Sequence, residues 1–319
     1  MNRPSPLSRS PLGGTELEVT PLCFGTSPLA SMTEQYGYAV DEERAIATVL
    51  AALDSPVNFL DTSNGYGEDG LAERRIGAAI RRAGGLPSQV VLATKVDPDP
   101  RTGDFSGDRV RASLEESMER LGVDRIPLLH LHDPERISFA EGIASGGPVA
   151  ALVDLRERGL VGHLGVAGGP VGLLSQYLDT GEFEVVLSHN RYTLLDRSAE
   201  PLFGYAAERG LGVLNAAPYG GGMLSKGPSV QQKYAYGTRD DRIREAAQAM
   251  EAACRRYDVP LAAAALQFSM RSDLVDSTVV GVSSPERIAQ TIELAAVEVP
   301  DELWSELERA APDRELWLD

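Results

Sequence analysis

Tyr66 lies five residues past Asp61 in the run Asp61-Thr-Ser-Asn-Gly-Tyr-Gly67, where Gly65 and Gly67 allow a tight loop to turn the phenol back on the chain. A free phenol titrates near pH ~10 and is a sluggish proton relay at neutral pH. A neighbouring ammonium favours the phenolate and lowers that value. Lys95 is the candidate cation, and Asp61 is the carboxylate that would pair with it and hold it in place. His132 could then hydrogen-bond the reacting oxygen or help relay its proton. Four such groups suit proton transfer to or from a reacting oxygen.

The other histidines carry less. His130, two residues before His132, shares its side of an extended strand one layer deeper, and reads as a hydrogen-bonded core residue. His163 falls near the start of its strand, away from the chemistry. His130 and His132 lack a third ligand at a motif spacing, so no metal is expected.

These residues need elements to bring them together. Short β-rich apolar runs at 22–25, 58–61, 90–95, 128–132, 162–166, 185–189, 212–215 and 278–282 alternate with amphipathic stretches at 41–53, 70–82, 107–121, 148–158, 170–179, 198–209, 240–256 and 285–295. Pro148, Pro170 and Pro285 mark helix starts, and Gly122, Gly159 and Gly210 follow helix ends. Eight βα pairs without a low-complexity linker predict an α/β fold, one closed (β/α)8 TIM barrel domain spanning 1–319. The stretch 7–19, with Gly13-Gly14 between two extended pieces, predicts an N-terminal hairpin. Additional helices are expected near 260–270 and, at the C-terminus, 301–311.

In this arrangement Asp61, Lys95, His132 and the pair Ser188-His189 end four strands, and the C-terminal mouth is where (β/α)8 barrels keep their active sites. Buried in a core, the same groups would carry a desolvation penalty. The long segments 97–107 and 220–239 would lie after strands three and seven, on that same face.

Composition narrows the function classes. The 319 residues carry a net charge of −17 with no offsetting basic run, which opposes binding to nucleic acid or anionic membrane surfaces. Two cysteines, Cys23 and Cys254, form no disulfide framework. Neither a signal peptide nor a membrane-spanning run is legible, so the reading is a cytoplasmic protein acting on a small molecule, its oligomeric state left open.

The chain resembles the aldo-keto reductases over nearly its full length. The motifs are Pro21-Leu-Cys-Phe-Gly-Thr26, Asn58-Phe-Leu-Asp-Thr-Ser-Asn-Gly-Tyr-Gly67, Val91-Leu-Ala-Thr-Lys95, Leu129-His-Leu-His-Asp-Pro134 and the run from Val185 to Arg197. The resemblance implies a (β/α)8 barrel, NAD or NADP as cofactor, and a catalytic tetrad of Asp61, Tyr66, Lys95 and His132 with Tyr66 as general acid or base. It also implies cofactor contacts at Gly25, Thr26, Ser188, His189, Pro218, Tyr219, Met223, Leu224, Ser225, Gly281, Ser283, Arg287, Gln290 and Thr291.

Several positions depart from the family pattern. Ala167-Gly168 stands where many members have the Ser-Asn that holds the nicotinamide carboxamide, which shifts that contact toward Ser188 and His189. Ala216 replaces the tyrosine that stacks on the nicotinamide. Gly281 and Thr291 stand where NADP-preferring members have Lys and Asn, so cofactor preference stays undecided. Ser283 and the start of the following helix can donate to a phosphate, and Arg287 can bind a 2′-phosphate or stack on adenine.

Within the family the chain is similar to aldose 1-dehydrogenases acting on L-fucose, L-galactose or D-threo-aldoses, and to pyridoxal 4-dehydrogenases. This implies oxidation of an aldose at C1 to a lactone, with Asp133 and Asn190 joining His132 as candidates for sugar hydroxyls. The alternatives are an NADPH-dependent aldehyde or ketone reductase, a pyridoxal dehydrogenase, a lyase forming a Schiff base on Lys95, and a cofactor-sensing binding module.

Overall fold

The computed structural model describes residues 7–235, 237 and 240–319. Of the segment 220–239, residues 236, 238 and 239 lie outside the described residues, as do residues 1–6.

The period-two alternation of the strands sorts side chains into two layers. In Ile126–His132, Leu129 and Leu131 pack outward against helices, while Leu128, His130 and His132 have inward parity. The same division runs around eight parallel strands: β1 (Leu22–Gly25), β2 (Phe59–Asp61), β3 (Val91–Val96), β4 (Ile126–His132), β5 (Val161–Gly168), β6 (Val185–His189), β7 (Gly212–Ala216) and β8 (Ser277–Gly281). They close into a barrel, with β8 pairing β1 through Val280 opposite Phe24 and Gly281 opposite Gly25. Cys23, Phe59, Ala93, Leu128, Val185, Leu187, Leu214 and Val279 fill the interior. Phe24, Leu60, Leu92, Val166, Val186 and Val213 belong to the outer core beneath the helices.

The helix layer follows the expected boundaries closely: α1 (Glu42–Leu53), α2 (Leu71–Arg82), α3 (Gly107–Leu121), α4 (Pro148–Glu157), α5 (Val171–Asp179), α6 (Glu200–Ala207), α7 (Asp241–Arg256), α8 (Leu261–Met270), α9 (Pro285–Ala296) and α10 (Asp301–Arg309). Local chemistry sets several ends. Asp41, Ser106 and Ser284 cap α1, α3 and α9 by accepting from Arg44, Arg109 and Arg287 amides. Two expected helices are shorter. α6 starts at Glu200 because Ser198 is held by the Asp196 carboxylate in a local turn, and α10 stops at Arg309, three residues before Pro312.

The expected hairpin pairs Ser10–Pro11 with Glu18–Val19. Leu12 and Val19 join the interior cluster and plug the end of the barrel opposite the strand C-termini. Within the segment read as loop, Met223–Lys226 forms a helical turn, because Met223 and Leu224 are buried in a separate core shared with α7 and α8. Among the described residues no helix is long and apolar enough to cross a membrane.

Candidate active site

The last inward positions of the strands are polar, and they converge. Asp61 ends β2, Lys95 is the penultimate residue of β3, and His132 ends β4. The Lys95 ammonium donates to both Asp61 carboxylate oxygens at 2.8 and 2.6 Å, to the Thr62 carbonyl at 2.8 Å and toward the Tyr66 hydroxyl at 3.1 Å. Asp61 and Lys95 are fully enclosed, at 3% and 1% exposure. A buried pair of this kind is costly to break, on the order of 3–5 kcal/mol when one partner is removed, so Asp61 fixes where the cation sits. The Tyr66 ring meets the His132 ring edge-on, with centroids 5.7 Å apart.

Behind His132 stands a residue that motif reading missed. Asp97 follows Lys95 by two positions, so it shares the inward parity, and that spacing was the available signal. Its carboxylate lies 2.7 Å from His132 Nδ1, accepts the Ser63 hydroxyl and accepts the Gly65 amide at 2.7 Å. Ser63 Oγ is itself 3.0 Å from His132 Nδ1. Burial would raise the Asp97 pKa, but the His132 ring and the donors Ser63 and Gly65 outweigh it and hold the carboxylate at about 2. Burial likewise works against the His132 cation, yet Asp97 and Asp133 prevail and its pKa is raised.

His130 lies one layer deeper, as its spacing requires, but it is not hydrogen-bonded. Neither ring nitrogen has a partner among the described residues, and the facing residue is Gly165, where a Cβ would come within 2.2 Å of Nδ1. Burial first, then Lys95 and His132, push its pKa well down, so the ring is neutral. His163 pairs with Glu184 at 2.8 Å near the start of β5. Among the described residues no group of three or more His, Cys, Asp or Glu could hold a metal ion.

The residues expected around a cofactor sort unevenly. Gly25, Thr26 and Gly281 meet where β1 and β8 pair, and the Thr26 hydroxyl is committed to the Asp61 carbonyl at 2.9 Å. His189 has inward parity at the end of β6; burial brings its pKa down to about 4, leaving a neutral ring whose Nδ1 faces the Asn190 amide nitrogen at 3.3 Å. Ser188 shares the outward parity of Val186 and is fully buried, its hydroxyl without a partner among the described residues. Asn190 is 1% exposed, with its side-chain amide facing His189 Nδ1 at 3.3 Å, its main-chain carbonyl accepting the Tyr234 hydroxyl at 2.7 Å, and its Oδ1 without a partner among the described residues.

Beyond β7, Pro218 and Tyr219 precede the Gly220-Gly221-Gly222 turn, and the Tyr219 hydroxyl is buried without a partner among the described residues. Met223 and Leu224 face the core, so only their main-chain atoms are open to a ligand, and the Ser225 hydroxyl turns to the Gly222 carbonyl at 3.3 Å. At the start of α9, Ser283 is half-buried with its carbonyl accepting Arg44 Nε at 3.1 Å. Arg287 is exposed and paired with Gln290 at 2.7 Å. Thr291 is buried and spends its hydroxyl on the Arg287 carbonyl at 2.7 Å. Asp133, at φ 43°, is the open polar group of the mouth: it lies 3.7 Å from His132 Nε2 and pairs with Arg136 at 3.2 Å.

The fold is a closed eight-stranded (β/α)8 barrel with these groups at its mouth, and the profile of the Aldo/keto reductase family, a family of oxidoreductases, matches residues 21–312. The chain belongs to that family, whose members use nicotinamide nucleotides. It is 35% identical to a D-threo-aldose 1-dehydrogenase of Pseudomonas sp, over 85% of this chain and 89% of that protein. It is 33% identical to L-galactose dehydrogenase of Arabidopsis thaliana, over 93% and 92% of the two chains. Pyridoxal 4-dehydrogenase of Microbacterium luteolum is 30% identical over 93% of this chain and 95% of its own. Among solved structures, an aldo-keto reductase from Bacillus halodurans superimposes with a TM-score of 0.81 at 23% identity, covering 98% of this chain and 99% of the other, a likeness of fold.

Proposed function

We propose that the protein oxidises an aldose at C1 to a lactone, with NAD or NADP as the acceptor. The observation that carries this reading is the Lys95 ammonium, clamped by Asp61 and Thr62 and set 3.1 Å from the Tyr66 hydroxyl beside His132. The ammonium favours the phenolate, so Tyr66 is placed to take the proton of the anomeric hydroxyl. His132 and Lys95 flank the oxygen on which charge develops. The D-threo-aldose and L-galactose dehydrogenase relatives favour a sugar over a simple aldehyde.

The orphaned Tyr219 hydroxyl, the neutral His189 and the exposed Arg287 at the start of α9 fit a dinucleotide. We assign His189 to the carboxamide, the main chain of 218–225 to the pyrophosphate and Ser283 with Arg287 to the adenosine end. When bound, the nicotinamide supplies the hydride acceptor. Asp133, bent toward His132 and open at the mouth, is placed to accept a sugar hydroxyl. A Schiff-base role for Lys95 is disfavoured, because its nitrogen is committed to a carboxylate and a carbonyl in a closed pocket.

The test is Tyr66→Phe assayed on an aldose panel with each cofactor. Turnover should fall at least a thousandfold while dinucleotide affinity, measured by fluorescence quenching, stays within threefold of the parent. Unchanged turnover removes Tyr66 from the mechanism, and a preference for small aldehydes with NADPH replaces the sugar reading by a reductase.

A further inference from the structure

We infer that Asp97 is a positioning residue that locks His132 as a protonated hydrogen-bond donor and ties it to the Tyr66 loop through one shared carboxylate. This rests on the reading of Tyr66 and His132 as the groups around the reacting oxygen. His132 has two conceivable tasks there, relaying a proton or holding the oxygen. The geometry selects the second.

The argument starts from the two carboxylate oxygens. Oδ1 lies 2.7 Å from His132 Nδ1, so Nδ1 carries a hydrogen and donates it. Oδ2 accepts from the Ser63 hydroxyl and from the Gly65 amide at 2.7 Å. Ser63 and Gly65 belong to the same loop as Tyr66, whose amide donates to the Ser63 carbonyl at 3.2 Å. One buried anion therefore orients the imidazole with one oxygen and the Tyr66 loop with the other. Packing enforces the contact, because a Cβ at Gly65 would come within 2.9 Å of all three carboxyl atoms.

Asp97 is itself immobilised from outside the barrel. Its amide donates to the Ser113 hydroxyl at 3.2 Å, and its carbonyl accepts from Arg109 Nε at 3.2 Å, both partners lying on α3. Arg109 also donates to the Asn64 side chain at 3.0 Å, so α3 braces the strand end and the Tyr66 loop together.

The charges around the His132 ring decide its protonation. Asp97 and Asp133 favour the cation, and Lys95 opposes it. Glu135 adds a further carboxylate, while the buried His130 and His189 are neutral rings with lowered pKa values. With Nδ1–H given to Asp97, the Nε2–H is left to donate toward the mouth. Tyr66 alone then moves the substrate proton, and His132 keeps its own throughout the cycle.

The experiment follows the His132 ring by NMR in the full-length protein with labelled histidine, its resonance among the four histidines assigned with His132→Gln. In the parent chain His132 should titrate above the ordinary histidine value of about 6.5; a midpoint at or below it overturns the inference whatever the Asp97 variant shows. In Asp97→Asn the midpoint should drop by at least one pH unit, kcat should fall ten- to hundredfold and KM should change less. The same substitution in a His132→Gln background should lower kcat by a clearly smaller factor than in the parent, because the share acting through His132 is already lost and only the tie to the Tyr66 loop remains. Equal losses in both backgrounds, or an unmoved titration in Asp97→Asn, overturn it. Loss of activity in Tyr66→Phe with failure of these Asp97 measurements sinks this inference alone, whereas full activity in Tyr66→Phe sinks the underlying mechanism whatever the titration shows.

Discussion

Asp97 and His132 carry opposite charges in the wall of the mouth, and their protonation ties stability to pH in opposite directions. Asp97 sits at about 2 in the folded chain against about 3.8 for an ordinary aspartate. Its contribution is therefore complete above about pH 4 and is lost as pH falls toward 2, a difference of about 2 kcal/mol from the size of the shift. The raised His132 contributes fully below its ordinary value near 6.5 and loses that contribution as pH rises through the folded value. Urea unfolding measured between pH 2 and 5 should show the acid loss in the parent chain, and the Asp97→Asn variant should show a flatter slope. An unchanged slope would mean that the pair does not contribute to acid stability.

At the scale of elements, Tyr234 ties the loop after β7 to the loop after β6. Tyr234 is buried, donates to the Asn190 carbonyl at 2.7 Å and bonds Thr193 Oγ1 at 2.9 Å. Tyr234→Phe removes that link and leaves the Asn190 carbonyl unpaired, so stability should fall by about 1 kcal/mol. Because His189 adjoins Asn190, dinucleotide release, followed by stopped-flow fluorescence, should accelerate several-fold; an unchanged rate would separate this loop from cofactor retention. The strands and helices were legible because their periodicity is strong: β1 and β6 fall on the expected residues, and the others differ by two residues or fewer at either end. Parity also located Asp61, Lys95 and His132, and applied consistently it would have turned Ser188 outward and Asp97 inward. The burial of Asn190 was not legible, since it depends on Tyr234 arriving from a loop forty-four residues away. The helical turn Met223–Lys226 was hidden for the same reason, being stabilised by α7 and α8 rather than by local sequence.

For the molecule as a whole, the barrel is open to chemistry at one end because the hairpin occupies the other. Leu12 is fully buried there, among Val185, Leu187 and Leu214 of the interior cluster. Leu12→Ala should cost about 2–5 kcal/mol by the cavity it leaves. Thermal unfolding should register the loss, while kcat per folded molecule stays within twofold of the parent, since the plug and the tetrad lie at opposite ends. A matching fall in kcat would show that the interior transmits strain from plug to mouth. The charge of −17 is spread over a surface that repels polyanions, which leaves recognition of a phosphate-bearing dinucleotide to local groups such as Arg287 and the start of α9.

The close fit of Gly65 over the Asp97 carboxylate has a consequence for descent. A lineage carrying this aspartate cannot gain a side chain at 65 without displacing the anion, and a lineage that loses the aspartate releases 63 and 65 from their constraint. Positions 63, 65 and 97 should therefore change together or not at all, and their joint presence would mark relatives in which the histidine serves as a fixed cation.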